Sequence, residues 1–198
     1  MFSRVVRCFA FSLLGCSAAV VRAQSSAEVA MRFPATWASG PGAPTVRTDA
    51  APMISLNSGG QLNPNTRVSL DVRLSNASVK LTEDAQKWGG GTLTLVDVIG
   101  TLGWRLLLPD HGYVSFEGGL GVTVLGGARN VAPFHEASRA IPVAEATIAY
   151  DLPFTFSRAT TALLVRSSFL RIGGKNADDA VQAPGYVRRV SVGVRVSR

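Results

Sequence analysis

From Thr66 to Leu74 the chain reads TRVSLDVRL, with Val68, Leu70, Val72 and Leu74 on one side and Arg67, Ser69, Asp71 and Arg73 on the other. A strict period of two is the signature of an extended strand, whose successive side chains point to opposite faces. The same alternation recurs. Between residues 93 and 108, Val96, Val98, Leu102, Trp104, Leu106 and Leu108 oppose Asp97, Thr101, Gly103 and Arg105, while Leu93, Leu95 and Ile99 blur the pattern. Val114, Phe116, Leu120, Val122 and Val124 oppose Ser115, Glu117, Gly119, Gly121 and Thr123. Ala144, Ala146, Ile148, Tyr150 and Leu152 oppose Glu145, Thr147 and Asp151. At the far end Val190, Val192, Val194 and Val196 oppose Ser191, Gly193, Arg195 and Ser197.

Three segments alternate less cleanly. In 161–172, Leu163, Val165 and Phe169 face away from Arg166 and Ser168, but Leu164 and Leu170 fall on the polar side. The segment 28–37 groups Val29, Met31, Phe33 and Trp37 and contains Pro34. The segment 46–56 groups Val46, Ile54 and Leu56 against Arg47, Asp49 and Ser55 and contains Pro52. Proline cannot donate to a ladder, so for these two N-terminal pieces strand and irregular coil both stay open.

Eight strands are predicted, near 27–37, 46–57, 66–81, 93–108, 112–127, 141–152, 160–172 and 186–198. Several are twelve to sixteen residues long, whereas about 9–11 residues suffice for a tilted strand to cross a bilayer. The connections GGKNADDAVQAPG, ARNVAPFHEASRA and TEDAQKWGGG are long, and PFTFSRA and PDHG are short. Long connections at one end and tight turns at the other are the habit of a transmembrane barrel.

Composition decides which way the apolar faces point. Hydrophobic residues make up 46% of the 198 and charged residues 17%, too apolar for a disordered chain. Lysine occurs only at Lys80, Lys87 and Lys175, at strand ends or in connections, whereas the polar strand faces mix Gly, Ser and Thr with Arg, Asp and Glu. A solvated sheet surface would carry Lys and Glu. Small residues beside opposite charges suit a crowded interior where each charge needs a partner. Trp104, Tyr113, Tyr150, Phe154 and Phe156 lie near the short-turn end, and Trp37, Trp88 and Tyr186 near the long-loop end. Two aromatic belts flanking aliphatic strand are expected at two membrane interfaces. The aliphatic faces are therefore expected to meet lipid, and the fold class is all-β: an eight-stranded antiparallel up-and-down transmembrane β-barrel.

The first 23 residues read as an export signal, with Arg4 and Arg7, an apolar run from Cys8 to Val21, and the small-residue site Val21-Arg22-Ala23. The barrel domain would then be 24–198. A second reading stays open, in which LLGC at 13–16 is a lipobox and Cys16 is lipidated. Both cysteines, Cys8 and Cys16, fall inside this segment, which removes disulfide and cysteine–metal chemistry from the mature chain. Removing Arg4, Arg7 and Arg22 lowers the formal charge from +7 to +4, with no basic cluster left. Nucleic acid is not an expected partner.

From about Thr66 to Arg198, and most clearly in FEGGLGVTVLGGA, ATIAYDLPF and GYVRRVSVGVRVSR, the chain resembles the small outer-membrane β-barrel proteins of Gram-negative bacteria, of the outer membrane protein A and opacity-protein type. The resemblance implies a signal peptide, an eight-stranded antiparallel barrel, a periplasmic C-terminus, and as partners the outer-membrane lipids and the barrel-assembly machinery. The family's closing strand usually ends in an aromatic residue. Here Ser191, Gly193 and Val196 fit that pattern and the last residue is Arg198.

Candidate chemistry is sparse. His111 lies in the tight turn PDHG, and His135 lies near Glu136 and Ser138 in a long connection, without the His-x-Ser spacing of lipid A deacylases. Asp178 and Asp179 offer too few oxygens for a hard cation. WGGG at 88–91 lacks the Lys-Ser/Thr of a phosphate loop. No cofactor or catalytic set is implied. The substantial candidate is the charged set that the polar faces would bring into the lumen: Arg67, Asp71, Arg73, Asp97, Arg105, Glu117, Glu145, Asp151, Arg166 and Arg195. In a bore as narrow as eight strands allow, such a set is expected to form a salt-bridged plug. The function expected is a non-enzymatic outer-membrane barrel with long surface loops, serving envelope integrity or surface contact. The alternatives are a lipid-modifying barrel enzyme and a secreted soluble barrel that binds an apolar ligand.

Overall fold

The computed structural model describes residues 23–40, 43–83, 86–109, 112–127, 140–156, 159–171 and 186–198. The segment read as an export signal lies outside them up to residue 22. So do the connections holding His111, His135, Glu136, Ser138, Asp178 and Asp179. The elements are β1 (Ala23–Arg32), β2 (Ala35–Gly40), β3 (Ala43–Thr48), β4 (Ala51–Asn63), β5 (Thr66–Glu83), β6 (Gln86–Leu107), β7 (Tyr113–Gly126), β8 (Ala140–Phe156), β9 (Ala159–Arg171) and β10 (Tyr186–Ser197). All pairings are antiparallel. They run β2-β3-β5-β4-β1-β10-β9-β8-β7-β6, and β6 pairs back onto β5.

The ten segments make eight barrel strands. The β2–β3 pairs Ala35↔Thr48 and Thr36↔Arg47 continue the β1–β4 register, which ends at Arg32↔Ala51, without a shift. Thus β1 and β2 are one strand interrupted at Phe33-Pro34, and β3 and β4 are one strand interrupted at Asp49-Ala50. Pro34 sits in the first gap. Pro52 pairs with Met31 on β1 but stands where the β5 ladder is broken, between Asp49, whose N–H reaches Ser78 O at 2.9 Å, and Met53↔Ser75. Pro34 thus falls in a gap of the ladder and Pro52 where no β5-side hydrogen bond is asked of it, which is how strands tolerate prolines. The two N-terminal pieces are therefore strand, not coil.

The interruptions also change which residues share a face. Phe33 and Pro34 are both exposed, so the parity flips, and Trp37 points into the barrel with 1% of its surface exposed. Trp37 is therefore not on the same face as Val29, Met31 and Phe33, and it is no part of an outer aromatic belt. The break at Asp49-Ala50 likewise turns Val46 inward while Ile54 and Leu56 face out. A second correction concerns TEDAQKWGGG. It is mostly ladder, from Lys80↔Gly89 to Glu83↔Gln86, with a register shift after Val79. Gly91 takes up the strain of that shift at φ 105°. A triple glycine has no side chains to alternate, so its strand character was invisible to periodicity.

Through the middle of the barrel the aliphatic residues face outward. Leu120 is 74% exposed, and Val29, Ile54, Leu56, Leu70, Val72, Leu102, Ile148, Val165, Val192 and Val194 are exposed beside it. Arg73, Asp97, Glu145 and Arg166 are buried. A soluble barrel requires the reverse, so the secreted apolar-ligand binder is ruled out by this polarity. At the loop end the sense inverts. Beyond Leu74, Asn76, Ser78 and Lys80 are outside while Ala77, Val79 and Leu81 are buried. Leu93, Leu95 and Leu170, which blur the sequence pattern, point inward here and pack with Trp37, Val46, Leu125, Ile141, Val143 and Val187 into one core, which Ile99 extends past Asp97 towards the turn end. The eighteen residues of β5 well exceed the about 9–11 that a tilted strand needs to cross the hydrocarbon. The loop-end half therefore stands in water and is built accordingly. Glycines let adjacent strands close up inside: a Cβ on Gly121 would lie 2.0 Å from Val98 O.

The two zones respond oppositely to charge. Leu120→Arg is expected to cost about 2–4 kcal/mol of folding free energy in bilayers, and Ser78→Arg less than about 1 kcal/mol. Urea titration of the barrel refolded in vesicles measures both, and equal costs would refute the zoning.

Candidate functional site: the charged lumen

Strand alternation delivers the charged side chains of seven barrel strands into one bore. All ten residues of the sequence-predicted set lie on the inner face. They join Glu28 and Arg32 on β1, Asn57 on β4 and Arg189 on β10. These additions carry the same signal as the rest. Glu28 and Arg32 alternate with Val29 and Met31, and Arg189 is in phase with Arg195. Pro34 and the Arg188-Arg189 pair mask that signal in the sequence.

The charges form three linked layers. Next to the apolar core, Asp97 accepts from Arg32 Nη2 at 2.6 Å, from Arg189 Nη2 at 3.2 Å and from Thr123 Oγ1 at 2.6 Å. Arg32 also donates to Ser75 Oγ at 2.6 Å. In the middle layer, Arg73 grips Glu145 with both terminal nitrogens, at 2.5 and 2.7 Å, and reaches Asp71 at 2.6 Å. Glu145 also accepts from Ser168 Oγ at 2.9 Å and lies 3.0 Å from Arg166 Nε. Arg166 in turn holds Glu28 in a fork, at 2.5 and 2.9 Å, joining strands that are 138 residues apart in sequence. Towards the turn end, Arg195 forks onto Glu117 at 2.5 and 2.8 Å. Arg105 pairs with Asp151 and lies over the Tyr113 ring, 4.4 Å from its centroid.

Burying a charge costs several kcal/mol unless pairing and hydrogen bonds offset it. Bidentate arginine–carboxylate forks are the strongest pairs available and fix orientation as well. Each of the six inner carboxylates, Glu28, Asp71, Asp97, Glu117, Glu145 and Asp151, has at least one guanidinium on it. Seven inner arginines face them: Arg32, Arg67, Arg73, Arg105, Arg166, Arg189 and Arg195. Arg67 is the remainder. It forms no ion pair among the described residues, and its hydrogen bond goes to Asn57 Oδ1 at 2.6 Å. The bore opens at the turn end into a cavity of about 200 Å³ lined by Arg67, Arg105, Ser115, Glu117, Asp151 and Arg195, among others. Among the described residues no group of His, Cys, Asp or Glu is placed to hold a metal ion.

No protein-family model matches this chain, and no curated protein sequence is recognisably similar to it. Solved structures do match. The outer membrane protein OprG from Pseudomonas aeruginosa aligns over 89% of this chain and 95% of its own, with a TM-score of 0.56 and 12% identity. Neisserial surface protein A, NspA, aligns over 88% of this chain and 96% of its own, with a TM-score of 0.54 and 11% identity. At such identities the likeness is one of fold. The chain is a closed eight-stranded antiparallel barrel of the outer-membrane kind.

The middle layer supplies a test. Glu145→Gln removes a carboxylate shared by Arg73 and Arg166, leaving Asp71 to the one and Glu28 to the other with an excess of buried positive charge, and should cost about 3–5 kcal/mol. Ser168→Ala removes one neutral donor to the same carboxylate and should cost about 1–2 kcal/mol. Equilibrium unfolding in vesicles gives both values, and similar losses would show that the ion pairs are not what holds the layer.

Proposed function

We propose that this protein is a non-enzymatic barrel of the bacterial outer membrane whose lumen is sealed, and that it serves the envelope through its wall and its loop-end surface. The observation that carries the reading is the filling of the bore. The layered ion pairs and, towards the loop end, the apolar core around Trp37 support it. An ion crossing would have to break bidentate pairs and then pass Leu93 and Leu95. Eight strands leave room for little besides side chains.

The outer face supports the membrane assignment. Trp104 and Phe116, paired across β6 and β7, stand exposed on the outer face at the turn end of the aliphatic band, as interfacial aromatics do. Above the band, Arg47, Lys80, Arg171 and Arg188 are exposed on the outside of the barrel. Arg47 and Lys80 sit directly opposite each other on β3 and β5. Basic residues at that height suit anionic lipid headgroups. Outer-membrane lipids are thus the constant partner, the barrel-assembly machinery the inserting one, and the 1–23 segment the export signal.

Planar-bilayer recording tests the seal. The wild-type barrel should show no large, steady channels. Glu117→Arg or Glu145→Arg should lower the unfolding midpoint in vesicles far more than it raises conductance. Large wild-type channels would overturn the reading.

A further inference from the structure

The charge remainder in the lumen has a definite location. Arg67 is the second residue of β5, directly after the Pro64-Asn65 turn, and its guanidinium lines the turn-end cavity. Asn57 Oδ1 accepts from Nη2 at 2.6 Å, and Asn57 Nδ2 is itself held by Asp71 Oδ1 and, at 3.0 Å, by Ser69 Oγ. The guanidinium is thereby fixed through one nitrogen, while its buried Nε has no hydrogen-bond partner. A buried charged donor left unmatched is costly; Arg73, Arg189 and Arg195 also leave guanidinium nitrogens unmatched, but each of them holds a carboxylate, and Arg67 holds none among the described residues.

The surroundings reinforce the imbalance. Arg105, Arg195 and Arg198 line the same cavity as Arg67, against two carboxylates, Glu117 and Asp151. Both carboxylates are already taken: Glu117 by the Arg195 fork and Asp151 by Arg105. Arg195 Nε, 3.7 Å from Glu28 Oε2, is another buried donor without a hydrogen bond. Neutral hydrogen-bonding groups complete the wall at Gln61, Ser115 and Ser197. Gly103 keeps the space clear, because a Cβ there would come within 3.2 Å of Glu117 Cγ.

From these observations we infer that the turn-end mouth of the lumen is a binding site for a small oxyanion, a carboxylate or a phosphate, anchored on Arg67. The planar fork of a guanidinium matches two oxygens of either group, and positive charge in a recess shielded from bulk water strengthens the match. Glu117 and Asp151 limit the site to small anions of low charge, since a larger one would be pressed against carboxylates that are themselves paired. The site requires only the mouth, and it stands whether the lumen above it is sealed or conducts.

The test uses the full chain refolded in nanodiscs with 15N-labelled arginine, titrated separately with sodium acetate and sodium phosphate. Sodium chloride holds the ionic strength constant. A saturable shift of the Arg67 Nε–Hε signal is expected with at least one of the two. Saturation with acetate alone assigns a carboxylate site, with phosphate alone a phosphate site, and with both a general oxyanion site. Arg67→Gln should abolish saturable shifts at Arg195 and Arg105 while heat-modifiable gel migration persists. Arg67→Lys, which keeps charge but loses the fork, should weaken binding roughly tenfold. Should Arg67→Gln fail to fold, the wild-type Arg67 signal decides alone. Absence of a saturable wild-type response to either anion overturns the proposal, and so does unchanged binding in a folded Arg67→Gln barrel.

Discussion

Hydrocarbon offers a peptide group nothing to hydrogen-bond with, and the whole structure follows from that constraint. A sheet in lipid must have no edge, so β6 has to find β5 and the ring has to close. Once closed, it presents two surfaces to two different solvents. The outer one must be aliphatic wherever it meets lipid, which leaves the bore as the place for every polar side chain the strands carry. The lumen charges are thus a consequence of the outer coat, and their pairing is a consequence of confinement.

Confinement also explains why the lumen changes character along its length. Within the aliphatic band the outer surface already satisfies the lipid, and ion pairs in the bore hold strands together across the ring, as Arg166 does in joining β9 to β1. Past Leu74 the wall stands in water, where aliphatic burial becomes the stabilising term. There the bore fills with Leu93, Leu95, Val79 and Trp37. A single chain therefore uses inverted and ordinary polarity in succession, and the changeover on β5 takes one step, from Leu74 to Asn76.

Alternation made most of this legible from sequence. On β5, β7, β8 and β10 the inner and outer faces can be read by counting in twos, and that count brought ten charged residues to one surface. It failed where backbone irregularity resets the phase. Phe33-Pro34 and Asp49-Ala50 each insert a residue that periodicity cannot see, so Trp37 and Val46 were assigned to the wrong face, and Glu28 and Arg32 were left out of the set. It also failed where side chains are absent, at Gly89-Gly90-Gly91. Leu93, Leu95 and Leu170 blur the pattern because one polarity rule does not hold along strands that obey two, while Leu164 fills a small apolar pocket with Ala149 and Ala162 inside the band. Pairing partners were beyond reach altogether, since Arg73 meets Glu145 only through a ring closure that no local pattern records.

The inner charges matter before the barrel exists. From Gly89 to Leu108 the chain is apolar or small except for Asp97 and Arg105, with three threonines. A stretch of about 20 apolar residues is read as a membrane helix, and Asp97, near its centre, opposes that reading by about 2.5–3.5 kcal/mol, with Arg105 near the end adding less. Every strand destined for the wall faces the same conflict, since it must be apolar enough to coat a barrel yet must not be retained as a helix on the way out. Spacing the apolar residues by two resolves it. The intervening positions lower the mean hydropathy of the unfolded segment, and in the folded ring those same positions become Asp97 under Arg32 and Arg189, and Arg105 on Asp151. The network that fills the lumen is therefore also what keeps the strands from being mistaken for helices.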